Sequence, residues 1–294
     1  MPVSPHTGPR LGIIGGSGLY EMDGLADVRP VRLTTPFGDP SDELVLAELD
    51  GQRVVFLPRH GRGHRLSPTE VNYRANIDAL KRAGVTDILA LSAVGSLRED
   101  LSPGTFVIPD QFIDRTFART KSFFGTGLVA HVSMARPVCG RLGDLAEAAA
   151  RAAGVPCVRG GTHLVMEGPQ FSTRAESELY RSWRCATIGM TNMPEAKLAR
   201  EAELCYAAIG MVTDYDCWHP GHDAVTVTEV LATMATNVTA GRRLVRGVAK
   251  ALRPRAVPCP GACDRALDSA LVTAPEARDG ALVARLDVVA GRVL

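Results

Sequence analysis

The sequence has no excess of either charge and no long apolar run. Its 33 Lys and Arg residues nearly balance 32 Asp and Glu residues, so a broad basic surface for nucleic acid is not expected. No apolar stretch approaches the roughly 20 residues needed to span a bilayer, and the first residues, MPVSPHTGPR, do not resemble a signal peptide. We therefore expect a cytoplasmic protein with small-molecule partners, and neither nucleic acid nor a membrane as a partner.

The sequence also lacks a Cys/His cluster with the spacing of zinc ligands. Its seven cysteines are scattered, and in a reducing compartment most would be small buried hydrophobic residues. Cys259 and Cys263 are candidates for a disulfide, although buried or solvated thiols are the favoured alternative. We predict no metal and no cofactor.

What is present is a set of short apolar runs, in a chain of 294 residues that is 46% hydrophobic. Runs rich in aliphatic and β-branched residues are typical of buried strands. They are Leu11 to Ile14, Val54 to Leu57, Ile88 to Leu91, Phe106 to Ile108, His163 to Met166 and Ala207 to Val212. Helical patterns lie between them, which predicts an α/β fold with a mostly parallel or mixed sheet.

The clearest helix signal is Ser67-Pro68-Thr69-Glu70, which predicts an N-cap, a proline in the first turn and a capping-box Glu. Gly84 is expected to end this helix. Further helices are predicted at about 140–153, 173–183, 194–203 and 228–252. From Arg253 onward the sequence is rich in Pro and Ala, which indicates an extended connection before a short terminal helix.

Polar residues follow three of the predicted strands. Gly15-Gly16-Ser17-Gly18 is either a plain tight turn or an anion-binding loop. Arg59-His60 pairs a bidentate anion-binding group with an imidazole donor, unless it is a surface Arg with a capping His. Ser92-Ala93 offers a hydroxyl and amide donors, or a simple turn. Together these strand ends predict a phosphate site that needs no metal.

Later segments suggest a pocket for a flat ligand. Phe171 is placed to stack on such a ligand, with core packing as the alternative. Asp214 and Asp216 follow the last predicted strand, where two carboxylates are costly unless they are solvated or bind a ligand. They either lie in a solvated loop or read the edge of a base whose exocyclic group donates hydrogen bonds.

These segments resemble the S-methyl-5'-thioadenosine phosphorylases, a branch of the trimeric purine nucleoside phosphorylases. The resemblance is ordered along residues ~11 to 250. It is carried by IIGGSGLY, TPFGDPSDEL, LPRHGRGHRLSPTEVNYRANIDALK, SAVGSLRED, PGTFVIPDQFIDRT, EGPQFSTRAES, GMTNMPEAKLAREAELCYA and MVTDYDCW. It implies a single-domain purine nucleoside phosphorylase-like α/β fold, with a central mixed β-sheet flanked by helices. The phosphorylase domain would span 1–253, and 254–294 would form a C-terminal extension packed on it.

The resemblance also implies a reaction and its residues. The enzyme would be a homotrimeric pentosyltransferase of purine and methionine salvage that converts methylthioadenosine and phosphate to adenine and 5-methylthioribose 1-phosphate. Phosphate would be held by Ser17, Arg59, His60, Ser92, Ala93 and Thr191. Met190 would face the ribose, Asp214 would be catalytic, and the base pocket would comprise Phe171, Ser172, Asp214 and Asp216. His131 would reach a neighbouring subunit's site, and Val227 and Val230 would line the pocket for the 5'-group.

Substrate preference follows from hydrogen-bond polarity. Adenine presents an amino donor where hypoxanthine and guanine present an oxo acceptor, and a carboxylate accepts only from the former. In 6-oxopurine relatives, Glu and Asn would be expected in place of Ser172 and Asp214. Gly189, where some relatives have Asn, leaves one contact in doubt. The alternatives are a broader 6-aminopurine or 6-oxopurine phosphorylase, a hydrolase that uses water, and a non-catalytic nucleoside-binding protein.

Overall fold

The structure is a computed structural model that describes residues 8, 10–221 and 226–294. The side chains of Ser17 and Glu229 also lie outside the description, as does the stretch 1–7 in which no signal peptide is expected. Among the described residues, no helix combines the length and the apolar character needed to cross a membrane.

Eleven strands among the described residues form one sheet. They are β1 (Leu11–Gly15), β2 (Leu25–Val31), β3 (Leu44–Leu49), β4 (Gln52–Pro58), β5 (Asp87–Ser96), β6 (Phe106–Ile108), β7 (Gln111–Asp114), β8 (Cys157–Arg159), β9 (Thr162–Val165), β10 (Cys185–Gly189) and β11 (Cys205–Asp214). The main order is β2-β3-β4-β1-β5-β10-β9-β7, and β11 joins β5 to β6, which pairs with β8. The sheet is mixed, as predicted.

The parallel part of the sheet places the predicted strand ends together. β1 lies parallel to both β4 and β5, and β11 lies parallel to β5. Gly15 is in register with Pro58, and Ser92 with Gly210. The polar residues that follow β1 and β4 therefore emerge at the same edge as the second half of β5 and the end of β11.

Six α-helices of the described residues flank the sheet. They are α1 (Tyr73–Arg82), α2 (Gly140–Ala152), α3 (Arg174–Ser182), α4 (Asn192–Glu201), α5 (Val227–Ala251) and α6 (Gly280–Arg285). The predicted start of α1 is wrong, because its N-cap is Asn72, whose side chain accepts from the amide of Ala75. Ser67 and Glu70 instead form a turn, in which the Glu70 carboxylate accepts from the Ser67 amide at 3.0 Å.

The C-terminal segment contributes to the cores on both faces of the sheet. Leu267, Ala270 and Leu286 join one hydrophobic cluster, whereas Cys259 and Cys263 join the other. The Leu267 amide donates to Glu203, which precedes β11, at 3.0 Å. The segment beyond 253 thus packs on the body of the protein, although its division from a 1–253 domain stays a prediction.

Candidate active site

Arg59 is the most buried charged residue of the predicted site. It follows β4 and is 2% exposed. Its Nε and Nη2 donate to the carboxylate of Glu195 at 2.8 and 3.0 Å, and its Nη1 donates to the Leu91 carbonyl at 3.1 Å. A guanidinium has five N–H groups, so two remain for a ligand. The surface alternative for Arg59 is wrong, because this arginine is anchored inside the protein.

Glu195 orients Arg59 through a buried network. Tyr206 Oη donates to Glu195 at 2.9 Å and accepts from Asn192 Nδ2 at 2.9 Å. The hydroxyl of Ser92, a predicted phosphate ligand, donates to Asn192 Oδ1 at 3.4 Å. Burial alone would lower the pKa of Arg59, but Glu195 outweighs burial and the pKa is raised. Arg59 is therefore a fixed cation whose charge is already balanced.

His60 is held as a neutral imidazole. Its Nδ1 lies 2.9 Å from the Leu66 carbonyl, and its ring stacks on His64 with centroids 4.2 Å apart. Burial, followed by the positive charge of Arg59, lowers the pKa of His60 to about 4. Because a carbonyl only accepts, Nδ1 carries the proton and Nε2 is left as an acceptor. The predicted donor role of His60 toward phosphate therefore requires protonation of Nε2, whereas the neutral ring accepts from a phosphate hydroxyl.

Asp214 and Asp216 lie side by side at the end of β11. Asp214 Oδ2 accepts from the Thr213 hydroxyl at 2.6 Å, and its Oδ1 accepts from the Asp216 amide at 2.8 Å. A β-carbon at Gly95, on the neighbouring strand, would lie 3.0 Å from Asp214 Oδ1. Glycine at position 95 therefore leaves the space that the Asp214 carboxylate occupies.

Asp216 is the unusual member of the pair. It is 5% exposed, adopts a left-handed backbone with φ of 51°, and its Oδ2 is buried without a hydrogen-bond partner among the described residues. Burial raises the pKa of Asp216, and the Ser177 and Ser172 hydroxyls oppose that rise, although neither completes a hydrogen bond to Oδ2. The solvated-loop alternative is wrong for Asp216. A strained, buried and unsatisfied carboxylate is costly, which marks it as a candidate ligand group.

The loop between β9 and α3 covers this carboxylate. Phe171 is 44% exposed, so the core-packing alternative for this ring is wrong. Ser172 is half-buried, and its carbonyl accepts from the Cys217 thiol at 3.3 Å. Thr173 caps α3 in a capping box with Glu176. The capping box fixes the start of α3, so that Ser172 stays near Asp216 while Phe171 presents an open face.

Met190 and Thr191 connect β10 to α4. Arg119 holds this turn from behind, because its Nη1 donates to the Met190 carbonyl at 2.6 Å and the Met193 carbonyl at 2.7 Å. A β-carbon at Gly189 would lie 3.0 Å from the buried ring of His163. Glycine at position 189, where some relatives have Asn, therefore leaves space for the ring of His163. Burial lowers the pKa of His163 to about 3, so this ring is neutral.

Among the described side chains, those of His131, Val227 and Val230 show no contact with this group. His131 is exposed, and its amide donates to Ala270 of the C-terminal segment at 2.8 Å. Val227 is 62% exposed, and Val230 is half-buried on the first turn of α5. Ser17 begins a short 3₁₀ turn after β1, but its side chain lies outside the described part of the chain.

Sequence reasoning missed the residues that support the site from inside. Glu195 lies at the start of the helix predicted at about 194–203, yet its carboxylate anchors Arg59. Tyr206 carries a hydroxyl in the apolar first part of β11, and this polar atom was the available signal for a buried partner. Arg119 lies in a connecting segment, and nothing in its spacing indicated that it holds Met190.

The comparisons decide the family. A model of the phosphorylase superfamily matches residues 10–250. The S-methyl-5'-thioadenosine phosphorylase of Cereibacter sphaeroides is 63% identical over 284 residues, which cover 97% of this chain and 98% of that one. The chain belongs to the S-methyl-5'-thioadenosine phosphorylases of the phosphorylase superfamily. The S-methyl-5'-thioadenosine phosphorylase of Rhodospirillum rubrum is 60% identical over 286 residues, which cover 97% of each chain.

Solved phosphorylases share the fold. A methylthioadenosine phosphorylase from an antarctic soil metagenomic library superposes with a TM-score of 0.91 at 47% identity, covering 97% of this chain and 99% of that one. The Schistosoma mansoni methylthioadenosine phosphorylase in complex with adenine gives a TM-score of 0.78 at 41% identity, covering 82% and 91%. The single-domain fold and the mixed central sheet predicted from the sequence are confirmed.

Proposed function

We propose that this protein catalyses the phosphorolysis of S-methyl-5'-thioadenosine to adenine and 5-methylthioribose 1-phosphate, as a cytoplasmic enzyme of purine and methionine salvage. The observation that carries the proposal is the buried Asp216 carboxylate oxygen, which has no hydrogen-bond partner among the described residues. It lies at the sheet edge where the strand that precedes Arg59 also ends. The first group suits a base amino group, and the second suits an oxyanion. The closely related chains that are phosphorylases of this substrate support the same reaction.

Phosphate is the nucleophile in this reaction. The two unused N–H groups of Arg59 and the Ser17, Ser92, Ala93 and Thr191 segments hold it below C1' of the ribose. Because Glu195 balances the charge of Arg59, the site binds phosphate through directed hydrogen bonds more than through net positive charge. Neutral His60 accepts from the phosphate hydroxyl. An oxygen of phosphate forms the bond to C1' as the C1'–N9 bond breaks.

The base pocket receives the electron pair that leaves with the purine. Asp216 Oδ2 accepts from the exocyclic amino group, and Phe171 stacks on the ring. The Thr213 hydroxyl and the Asp216 amide donate to the Asp214 carboxyl group and hold it at the end of β11. Asp214 acts as the general acid and donates its proton to N7 as the C1'–N9 bond breaks, so that the purine leaves as neutral adenine.

The sugar pocket is completed across a subunit interface. Met190 faces the ribose hydroxyls, and Val227 and Val230 supply an apolar wall suited to a methylthio group. His131 is exposed on a different part of the chain, so it reaches the 5'-end of a ligand only in a neighbouring subunit. This arrangement requires a second subunit, and we propose that the enzyme is a homotrimer. Phosphate is a co-substrate, and the reaction as proposed involves no further cofactor.

The test is release of adenine from methylthioadenosine with and without phosphate, followed by absorbance. Phosphorolysis predicts that release stops when phosphate is omitted and returns in proportion to added phosphate. A hydrolase would release adenine at the same rate without phosphate, and that result would refute the proposal. A faster reaction with methylthioinosine would favour a 6-oxopurine phosphorylase, and binding without turnover would indicate a non-catalytic nucleoside-binding protein.

A further inference from the structure

The fold brings four of the seven cysteines into one buried cluster. Cys139 precedes α2, Cys205 opens β11, and Cys259 and Cys263 belong to the C-terminal segment. All four are at most 3% exposed, and their sulfur atoms all lie within 4.8 Å of one another. The expectation of scattered thiols is therefore wrong for these four, which tertiary structure assembles from three separate parts of the chain.

We infer that the cluster of Cys139, Cys205, Cys259 and Cys263 binds one structural Zn²⁺ ion, or another divalent ion that prefers thiolates, and thereby fastens the C-terminal segment to the body of the enzyme. Four cysteine sulfurs form the closed tetrahedral site that zinc adopts in structural centres. A site with no free coordination position has no catalytic role, so this ion is separate from the proposed chemistry.

The sulfur geometry fits a metal better than a disulfide. The sulfurs of Cys139 and Cys259 are 3.6 Å apart. A disulfide has a sulfur separation of about 2.05 Å, whereas Zn–S bonds of about 2.3 Å in a tetrahedron give sulfur separations of about 3.8 Å. All seven cysteines are free thiols in the structure. Three residues separate Cys259 from Cys263, which is within the range of C-x₂₋₄-C zinc ligands, so the expectation that the sequence lacks such spacing is wrong for this pair.

Two arginines beside the cluster have buried N–H groups that lack an acceptor among the described residues. Arg141 pairs with Asp87, and Arg255 lies 3.3 Å from Asp264. Even so, Arg141 Nε and Arg255 Nη1 are buried without an acceptor among the described residues. Asp87 is in register with Cys205. Metal-bound thiolates carry more negative charge than thiols, so they are suitable acceptors for these N–H groups.

The cluster is remote from the proposed active site. Cys205 and Asp214 are the first and last residues of β11, a span of about 30 Å at roughly 3.3 Å per residue. Loss of the ion should therefore act on stability more than on turnover. Because metal binding couples to folding, removing the ion should loosen the segment that contains the ligands Cys259 and Cys263.

The test begins with the metal content of the intact protein, purified under reducing conditions without added metal. We expect about one zinc per chain by mass spectrometry. After chelation under reducing conditions, added Co²⁺ should restore about one ion per chain and give the charge-transfer and d–d bands of a tetrahedral tetrathiolate site. These readouts do not depend on activity.

Variants separate this cluster from other thiols. Cys259→Ser with Cys263→Ser should lower bound Co²⁺ at least roughly tenfold and abolish the tetrathiolate bands. Cys185→Ser removes a buried cysteine outside the cluster and should leave both unchanged. Should the double variant fail to fold, the Co²⁺ spectrum and stoichiometry of the wild-type protein still decide the proposal.

Three outcomes would overturn it. Seven titratable thiols in denaturant with no bound metal would show a plain thiol cluster. A thiol count lowered by two or four without metal would show disulfides. Bound metal that the double variant retains would lie elsewhere on the protein.

Discussion

The two halves of the proposed site differ in how their charged groups are satisfied. Arg59 makes three internal hydrogen bonds and is paired with Glu195. One carboxylate oxygen of Asp216, in contrast, has no partner in the part of the chain that the structure describes. The phosphate half is thus organised by the protein before a ligand arrives. The base half instead contains an unsatisfied group that a ligand must complete. Such a division gives a rigid anion site and a base pocket that discriminates strongly, because a wrong base leaves a buried acceptor unpaired.

The largest effect is expected from breaking the organised half. Glu195→Gln should lower the free energy of unfolding by about 3–5 kcal/mol, because Arg59 would remain as a buried charge without its counter-ion. Urea denaturation followed by circular dichroism measures this change. Glu43→Gln is the control, since Glu43 pairs with the half-exposed Arg62 at 3.5 Å and should cost less than about 1 kcal/mol. Equal losses in the two variants would contradict the anchoring role of Glu195.

The next largest effect concerns the unsatisfied half. Asp216→Asn should lower kcat/KM for methylthioadenosine by roughly 10- to 150-fold, the equivalent of one charged hydrogen bond of about 1.5–3 kcal/mol. Activity on methylthioinosine should fall less, so that the preference between the two nucleosides narrows. Stability should be unchanged or higher, because the free protein loses a buried unpaired carboxylate. An unchanged preference would exclude Asp216 from base recognition, and exposed Asp100→Asn is the control.

The pH dependence of the free energy of unfolding tests whether His60 is a neutral imidazole in the folded protein. Its pKa of about 4 in the folded protein lies below the roughly 6.5 of an unfolded histidine. The unfolded chain therefore binds the extra proton first, and stability is lost as pH falls from about 6.5 toward 4. Buried Glu201 opposes this trend, because burial raises its pKa to about 7 and the folded protein gains a proton there.

The difference in free energy of unfolding between wild type and His60→Gln separates the contribution of His60 from that of Glu201, which both proteins share. Below pH 6, the stability of the variant should fall less steeply, by at most about 1.4 kcal/mol per pH unit. Denaturant unfolding at pH 6.0, 5.5 and 5.0 measures the two slopes. Parallel slopes would show that His60 is not a buried neutral group.

The smallest effect is expected at Phe171. Phe171→Ala should raise KM for the nucleoside roughly 2- to 10-fold, because stacking contributes about 0.5–1.5 kcal/mol. Since this ring is 44% exposed, the free energy of unfolding should hardly change. Phe117, which is 81% exposed, provides the matched control as Phe117→Ala. A large loss of stability in Phe171→Ala would instead indicate a packing role.

The buried strands could be predicted because their sequences are continuous apolar runs. β1, β4, β5, β6 and β11 all show this signal and were found. The predicted end of β5 is wrong, because the strand continues to Ser96 and contains Ser92 and Ala93. β2 was missed because five of its seven residues are exposed on the sheet edge, so that it has no apolar pattern. β8 is half-buried and ends in an arginine, and Thr187 interrupts the apolar run of β10, so neither strand has a continuous apolar sequence.

The predicted site was limited by contacts that only the fold creates. Asp214 and Asp216 were visible as carboxylates after a strand, yet the unpartnered oxygen of Asp216 depends on packing by β5 and the loop before α3. Glu195 is 136 residues from Arg59 in sequence, so no local spacing indicated their pairing. The cysteine cluster was missed for the same reason, because its members come from the residue before α2, from β11 and from the C-terminal segment.

The most direct test of the account is the fate of phosphate when methylthioadenosine is cleaved. ³¹P nuclear magnetic resonance, with adenine measured in the same sample, follows both products at once. The account predicts one sugar 1-phosphate formed and one inorganic phosphate consumed for each adenine released. Release of adenine with the phosphate signal unchanged would contradict phosphorolysis, because water would then be the nucleophile. The Arg59 half of the site would in that case not bind phosphate for the reaction.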